Sequence, residues 1–129
     1  MPNIKDLKTG TGALDTTQAI PKTFLLDNGG DDLWLELKIL SGAPVSDLYI
    51  IGGIDQSQMV RQPLDKVGFD DAGVSHTGGQ KKVALNGPAN DAIITIGLSN
   101  LPPVIGIESD WSSGGAAQGL EVRGMRKRP

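Results

Sequence analysis

The sequence predicts an all-β protein: an antiparallel β-sandwich or small β-barrel of about seven to eight strands, preceded by an extended N-terminal arm. Three observations carry that expectation. The segment "DLWLELKIL" (32–40) alternates strictly, with Leu33, Leu35, Leu37 and Ile39 on one face and Trp34, Glu36 and Lys38 on the other. Short apolar runs recur along the chain between turns drawn from 18 glycines and 8 prolines. No stretch carries an apolar stripe of helical period.

Residues 1–22 read as the extended arm. "KTGTGALDTTQAIP" has apolar positions too sparse for either period, and Pro21 biases Ile20 towards extended backbone. Such a segment orders by lying on a neighbour. The body spans 23–122. "KTFLL" opens it as a short strand, and the corner "DNGGDD" leads into the leucine strand. "SGAPVS" is a turn. "DLYIIGGI" (47–54) is a strand whose paired glycines imply a bulge or a close backbone approach.

Residues 55–80 are the least regular part. "SQMVRQPLDKV" reads as one edge strand limited by Pro63, followed by the loop "GFDDAGVSHTGGQ". "KKVALN" is a short strand, and "NGPAND" carries an Asn-Gly turn signal. "DAIITIGLS" (91–99) is apolar on both faces at its centre, which predicts a central strand. "LPPVIGIESDW" gives a strand after the proline pair. "SSGGAAQG" is a turn, and "LEVRGM" a last strand before the tail at 123–129.

The 129 residues suffice for one core and not for two. Aromatics are only 4% of the chain, so Ile, Leu and Val must fill that core. With no cysteine, disulfides and thiolate metal sites are excluded. The opening "MPNIKDLKTGTG" lacks the apolar region of a signal peptide, and no run reaches membrane-spanning length. Synthesis in the cytoplasm, without export or membrane insertion, is the expectation. Net charge is −3, unevenly spread: Arg123, Arg126, Lys127 and Arg128 fall in the last seven residues. Setting those four aside leaves 8 basic against 15 acidic residues, a body of −7. A basic tail on an acidic body either contacts an acidic partner or solubilises an end.

Reaction chemistry is hard to find. His76 is the only histidine, and it sits in the loop "VSHTGGQ" with no nucleophile elbow near it. "TGTG" and "SSGG" do not match a phosphate-binding loop. The body is acidic and the tail "RGMRKRP" has no aromatic, which argues against a specific reader of nucleic acid. Calcium needs about six to eight converging oxygens. Asp27, Asp31, Asp32, Asp70 and Asp71 offer carboxylates, but without the EF-hand frame; strand-ending turns explain them more simply. Trp34, opposite the leucines, marks a partner surface if its face is solvated, and subunit packing is preferred over a sugar platform. No catalytic residue, metal ligand or cofactor is assigned.

The start "KTGTGALDTTQAIP", the β-rich middle and the basic end "RGMRKRP" together resemble the small virion proteins of tailed bacteriophages, especially capsid decoration (cement) proteins. The resemblance implies a non-enzymatic structural protein of the virion that binds the major capsid protein or other virion subunits. It implies a homo-oligomer, preferably a trimer, with the arm along the capsid surface. The candidate contacts are then Ile4, Leu7, Leu14 and Ile20 of the arm, Trp34, and Arg123, Arg126, Lys127 and Arg128 of the tail. A tail or head–tail joining component is one alternative. A calcium-dependent adhesive or carbohydrate-directed β-sandwich module is another.

Overall fold

The computed structural model describes residues 3–12, 25–27, 32–41, 43–55, 57–113 and 119–128. Within them the chain forms eleven strands and no helix: β1 (Asn3–Gly12), β2 (Leu25–Asp27), β3 (Asp32–Ser41), β4 (Val45–Gly53), β5 (Val60–Arg61), β6 (Lys66–Phe69), β7 (Val74–Ser75), β8 (Lys82–Asn86), β9 (Ile93–Leu98), β10 (Val104–Ser113) and β11 (Gly119–Arg128). All pairings are antiparallel. Sheet I runs β1-β11-β3-β9-β6; sheet II runs β2-β10-β4-β8-β7, with β5 also paired to β4. The architecture is a sandwich and not a barrel.

The connections have a plain logic once β5, β6 and β7 are set aside as insertions between β4 and β8. The remaining eight strands cross from one sheet to the other at every step except β4 to β8. They give the orders β1-β11-β3-β9 and β2-β10-β4-β8. That is the strand order of a jelly roll.

The core lies between the sheets. Leu33, Leu35, Leu37 and Ile39 of β3 are fully buried. They meet Leu48 and Ile50 of β4, Val83 of β8, Ile94 and Ile96 of β9 and Ile105 of β10 in one cluster. Burying each such side chain contributes about 1.5–3 kcal/mol. One polar pair interrupts this apolar layer: the Ser46 and Ser109 hydroxyls meet at 3.0 Å. Their mutual hydrogen bond meets the requirement that a buried hydroxyl keep a partner.

The paired glycines of β4 mark close approach and not a bulge. The register against β10 runs unbroken through Gly52 and Gly53. A Cβ at Gly52 would lie 2.5 Å from Cγ of Pro102, and one at Gly53 would lie 2.1 Å from the carbonyl oxygen of Gln58. The expected single edge strand around Pro63 becomes two short strands in different sheets, β5 in sheet II and β6 in sheet I. Proline cannot donate to a ladder, so the chain leaves one sheet there and joins the other. The Asn-Gly signal likewise marks a crossing between β8 and β9, which lie in different sheets, and not a hairpin. Gly87 (φ 66°) and Asp91 (φ 68°) supply the left-handed backbone for that crossing. Strand β9 lies inside sheet I, between β3 and β6.

The ends depart from the arm-and-tail reading. Residues 3–12 pair along β11 as the outer strand of sheet I, and 119–128 form a strand between β1 and β3. Strand β1 carries no hydrophobic period because Gly10 and Gly12 stand opposite the core residues Val122 and Leu120, and Lys5 stands opposite Arg126. No apolar alternation is needed where main-chain hydrogen bonds form the strand. The basic end has an electrostatic reason to join the sheet. Glu121 is opposite Lys38, Arg123 opposite Glu36, and Lys127 opposite Asp32. Three opposite-charge positions favour this register over a slipped one.

Candidate functional site around Trp34

The parity of β3 that buries the leucines puts Trp34 on the outer face of sheet I, where it is 43% exposed. In the ladder it is opposite Met125 of β11 on one side and Gly97 of β9 on the other, and Gly97 in turn is opposite Lys66 of β6. The indole lies over that glycine: a Cβ at position 97 would be 3.1 Å from Cη2 and Cζ3 of Trp34. Gly68, on the next strand, has nothing within 4 Å of where its Cβ would stand. Two glycines therefore strip side chains from the sheet beside the ring.

The result is an open trough on either side of Trp34. The larger hollow, about 420 Å³, is lined by Trp34, Lys66, Val67, Gly68 and Thr95. The smaller, about 120 Å³, has Asp32, Asp65, Lys66, Gly97 and Ser99 around the same ring. Lys66 borders both. The Ser99 hydroxyl donates to Asp65 Oδ2, and the Asp65 amide donates to the carbonyl of Gly97 at 3.0 Å. These contacts hold the polar end of the trough to β9. Phe69, at the end of β6, is 44% exposed nearby in sequence.

The outer face of sheet II is different in kind. Arg61 donates from Nε and Nη2 to Oε1 of Glu108 at 3.0 and 2.9 Å, and its guanidinium stacks 3.5 Å from the Tyr49 ring centroid. Lys82 pairs with Asp47 at 3.5 Å. Glu108 is 8% exposed, and Arg61 supplies the hydrogen bonds that a buried carboxylate requires. These two ion pairs tie the strands of this face together, and Asp110 adds a like charge opposite Asp47.

The residues singled out from sequence are dispersed. Trp34 stands in the trough. Ile4 and Leu7 lie in β1; Arg123, Arg126, Lys127 and Arg128 lie in β11. Leu14 and Ile20 fall outside the described residues, as do positions 28–31 of the "DNGGDD" corner. Asp70 and Asp71 are occupied in turns. Asp70 Oδ1 accepts from the Ile93 amide at 2.8 Å, and Asp71 Oδ1 from the Gly73 amide at 2.7 Å. Among the described residues no group of three or more His, Asp or Glu side chains is placed to hold a metal ion. His76 is half-buried and donates from Nδ1 to the Lys82 carbonyl at 2.9 Å, bracing β7 against β8. Gly97, Gly68, Lys66 and Ser99 escaped the sequence reading. Mid-strand glycines in "IITIGLS" and "KVGF" were the available signal, because a glycine inside a strand implies close approach.

Fold and site together define a jelly-roll β-sandwich with an open aromatic surface site. No protein-family model matches the chain, and no curated protein sequence matches it either. Among solved structures, the P-domain of Macrobrachium rosenbergii nodavirus is similar at 9% identity and a TM-score of 0.34. The match covers 98% of this chain and 91% of that one. A likeness at that level carries no argument about fold or function.

Proposed function

We propose that this chain is a non-enzymatic structural protein of a virion, and specifically a capsid decoration protein that binds the major capsid protein or another virion subunit. The observation that supports the reading best is the jelly-roll strand order, an architecture of viral capsid domains. The proposed subunit contacts are Ile4 and Leu7 of β1, the outer strand of sheet I, with Arg123, Arg126, Lys127 and Arg128 of the adjoining β11, and Leu14 and Ile20 from the sequence alone. A sheet edge with an unpaired side accepts a neighbouring strand. Trp34, on the adjoining strand β3, belongs to the same proposed set of partner contacts.

A homo-oligomer, preferably a trimer, is the assembly this reading requires, since closed symmetric contacts are the common outcome for such surfaces. Light scattering coupled to size exclusion gives the native mass. Co-sedimentation with shells of the major capsid protein encoded in the same genome gives the binding. A closed trimer that co-sediments supports decoration. A monomer that stays in the supernatant at every protein-to-shell ratio sinks it.

A further inference from the structure

We propose that the trough beside Trp34 binds a neutral oligosaccharide. The inference goes beyond the virion reading, since it places a small ligand, and not a subunit, on this face. It assigns Trp34 to that ligand and leaves the subunit contacts to the β1–β11 edge.

The floor comes first. Gly97 lets the indole lie across β9, and Gly68 leaves open space beside it. A side chain at either place would fill the trough. The larger hollow, about 420 Å³, falls within the ~300–1,000 Å³ range of small-molecule sites. It is open along the sheet, so a chain of sugar rings can run through it without entering a cavity.

The wall and rim then set the chemistry. A sugar ring is amphipathic, with a C–H face and a rim of hydroxyls. The half-exposed indole of Trp34 offers a flat apolar surface to the first. Asp32, Asp65, Lys66 and Ser99, all exposed, offer acceptors and donors to the second. Hydroxyls both donate and accept, so they answer carboxylate and ammonium alike.

Charge separates this occupant from its rivals. Asp32 has Lys127 opposite it in the ladder, which leaves one carboxylate, Asp65, and one ammonium, Lys66, so the trough holds no excess positive charge to draw a sulfated or sialylated glycan or a nucleic-acid phosphate. An apolar side chain from another subunit would cover Asp65 and Lys66 without replacing their water, which costs free energy for each charge so covered. A neutral, hydroxyl-rich ligand meets all these groups.

The test uses the full-length protein and named probes: maltotriose, cellotriose, chitotriose, mannotriose and N-acetyllactosamine. Sialyllactose and a heparin hexasaccharide serve as charged comparisons. Binding is read by saturation-transfer NMR and by the shift of the tryptophan indole N–H signals. The expected result is that at least one neutral probe binds and moves one indole signal. Trp34→Ala should weaken that binding roughly tenfold or more. Gly68→Val, which fills the trough where a Cβ meets nothing within 4 Å and leaves the indole in place, should do the same. Both variants should keep the native mass and the unfolding midpoint of the parent. The proposal is overturned if no neutral probe binds even at about 10 mM, if the charged probes bind more tightly, or if Trp34→Ala leaves binding unchanged. Loss of the oligomer in Trp34→Ala overturns it as well, by making this face a subunit interface. Shell co-sedimentation of Trp34→Ala keeps the two readings apart: retained sedimentation without sugar binding defeats the saccharide site alone.

Discussion

A Cβ at position 97 would press on the Trp34 ring at 3.1 Å, while further along β3 Leu35 and Leu37 are fully buried. Adjacent positions of one strand thus answer to different physics. Leu35→Ala or Leu37→Ala should cost about 2–5 kcal/mol in urea unfolding, because each leaves a cavity among side chains of both sheets. A cost near zero would mean that the face has been misassigned. Asp55 gives a pH-dependent prediction. The Ser57 hydroxyl and then the Ser57 amide hydrogen-bond its carboxylate and hold its pKa below the usual value of 3.8. A depressed carboxyl contributes stability that is present above its unfolded pKa and lost as pH falls through the folded one. The Asp55–Ser57 turn should therefore persist at neutral pH and loosen only below the ordinary carboxylate range. Ser57→Ala should return the Asp55 titration, followed by carboxyl NMR, towards 3.8; an unchanged titration would show that Ser57 is not the cause.

Among the elements, β11 shows how much of the sheet depends on pairing. In its register with β3, Glu121 is opposite Lys38, Arg123 opposite Glu36 and Lys127 opposite Asp32. Opposite-charge cross-strand pairs contribute about 0.2–1 kcal/mol each, and like charges reverse the sign. Arg123→Glu should lower stability by about 1 kcal/mol. Glu36→Lys in the same chain should recover most of the loss. A double variant no better than the single ones would show that the pairing of charges does not set the register. The leucine strand was legible from alternation alone, whereas β1 was not. Its residues opposite Val122 and Leu120 are glycines, which carry no pattern to read. The split at Pro63 was half legible: proline marked the break, but not that the two pieces join different sheets.

For the molecule as a whole, the described aspartates of "GFDDAG" serve backbone turns and are not gathered for a cation. A ligand that binds the native state alone raises the unfolding temperature. Calcium at millimolar concentration should therefore leave the melting midpoint unchanged; a clear upward shift would revive the calcium-dependent module. The jelly-roll order also places the two ends side by side in sheet I. The N-terminal segment 3–12 and the C-terminal segment 119–128 thus form one strand pair.

The sequence by itself determined the class of fold, the inward face of β3 and the outward place of Trp34, because side-chain parity and turn residues act locally. Only the tertiary structure decided which strands became neighbours, and with that the trough. Trp34, Lys66, Gly68, Thr95 and Gly97 come from three strands, β3, β6 and β9, that meet only through cross-strand pairing. Main-chain hydrogen bonds join strands without regard to sequence, so no local pattern records which residues they will bring together.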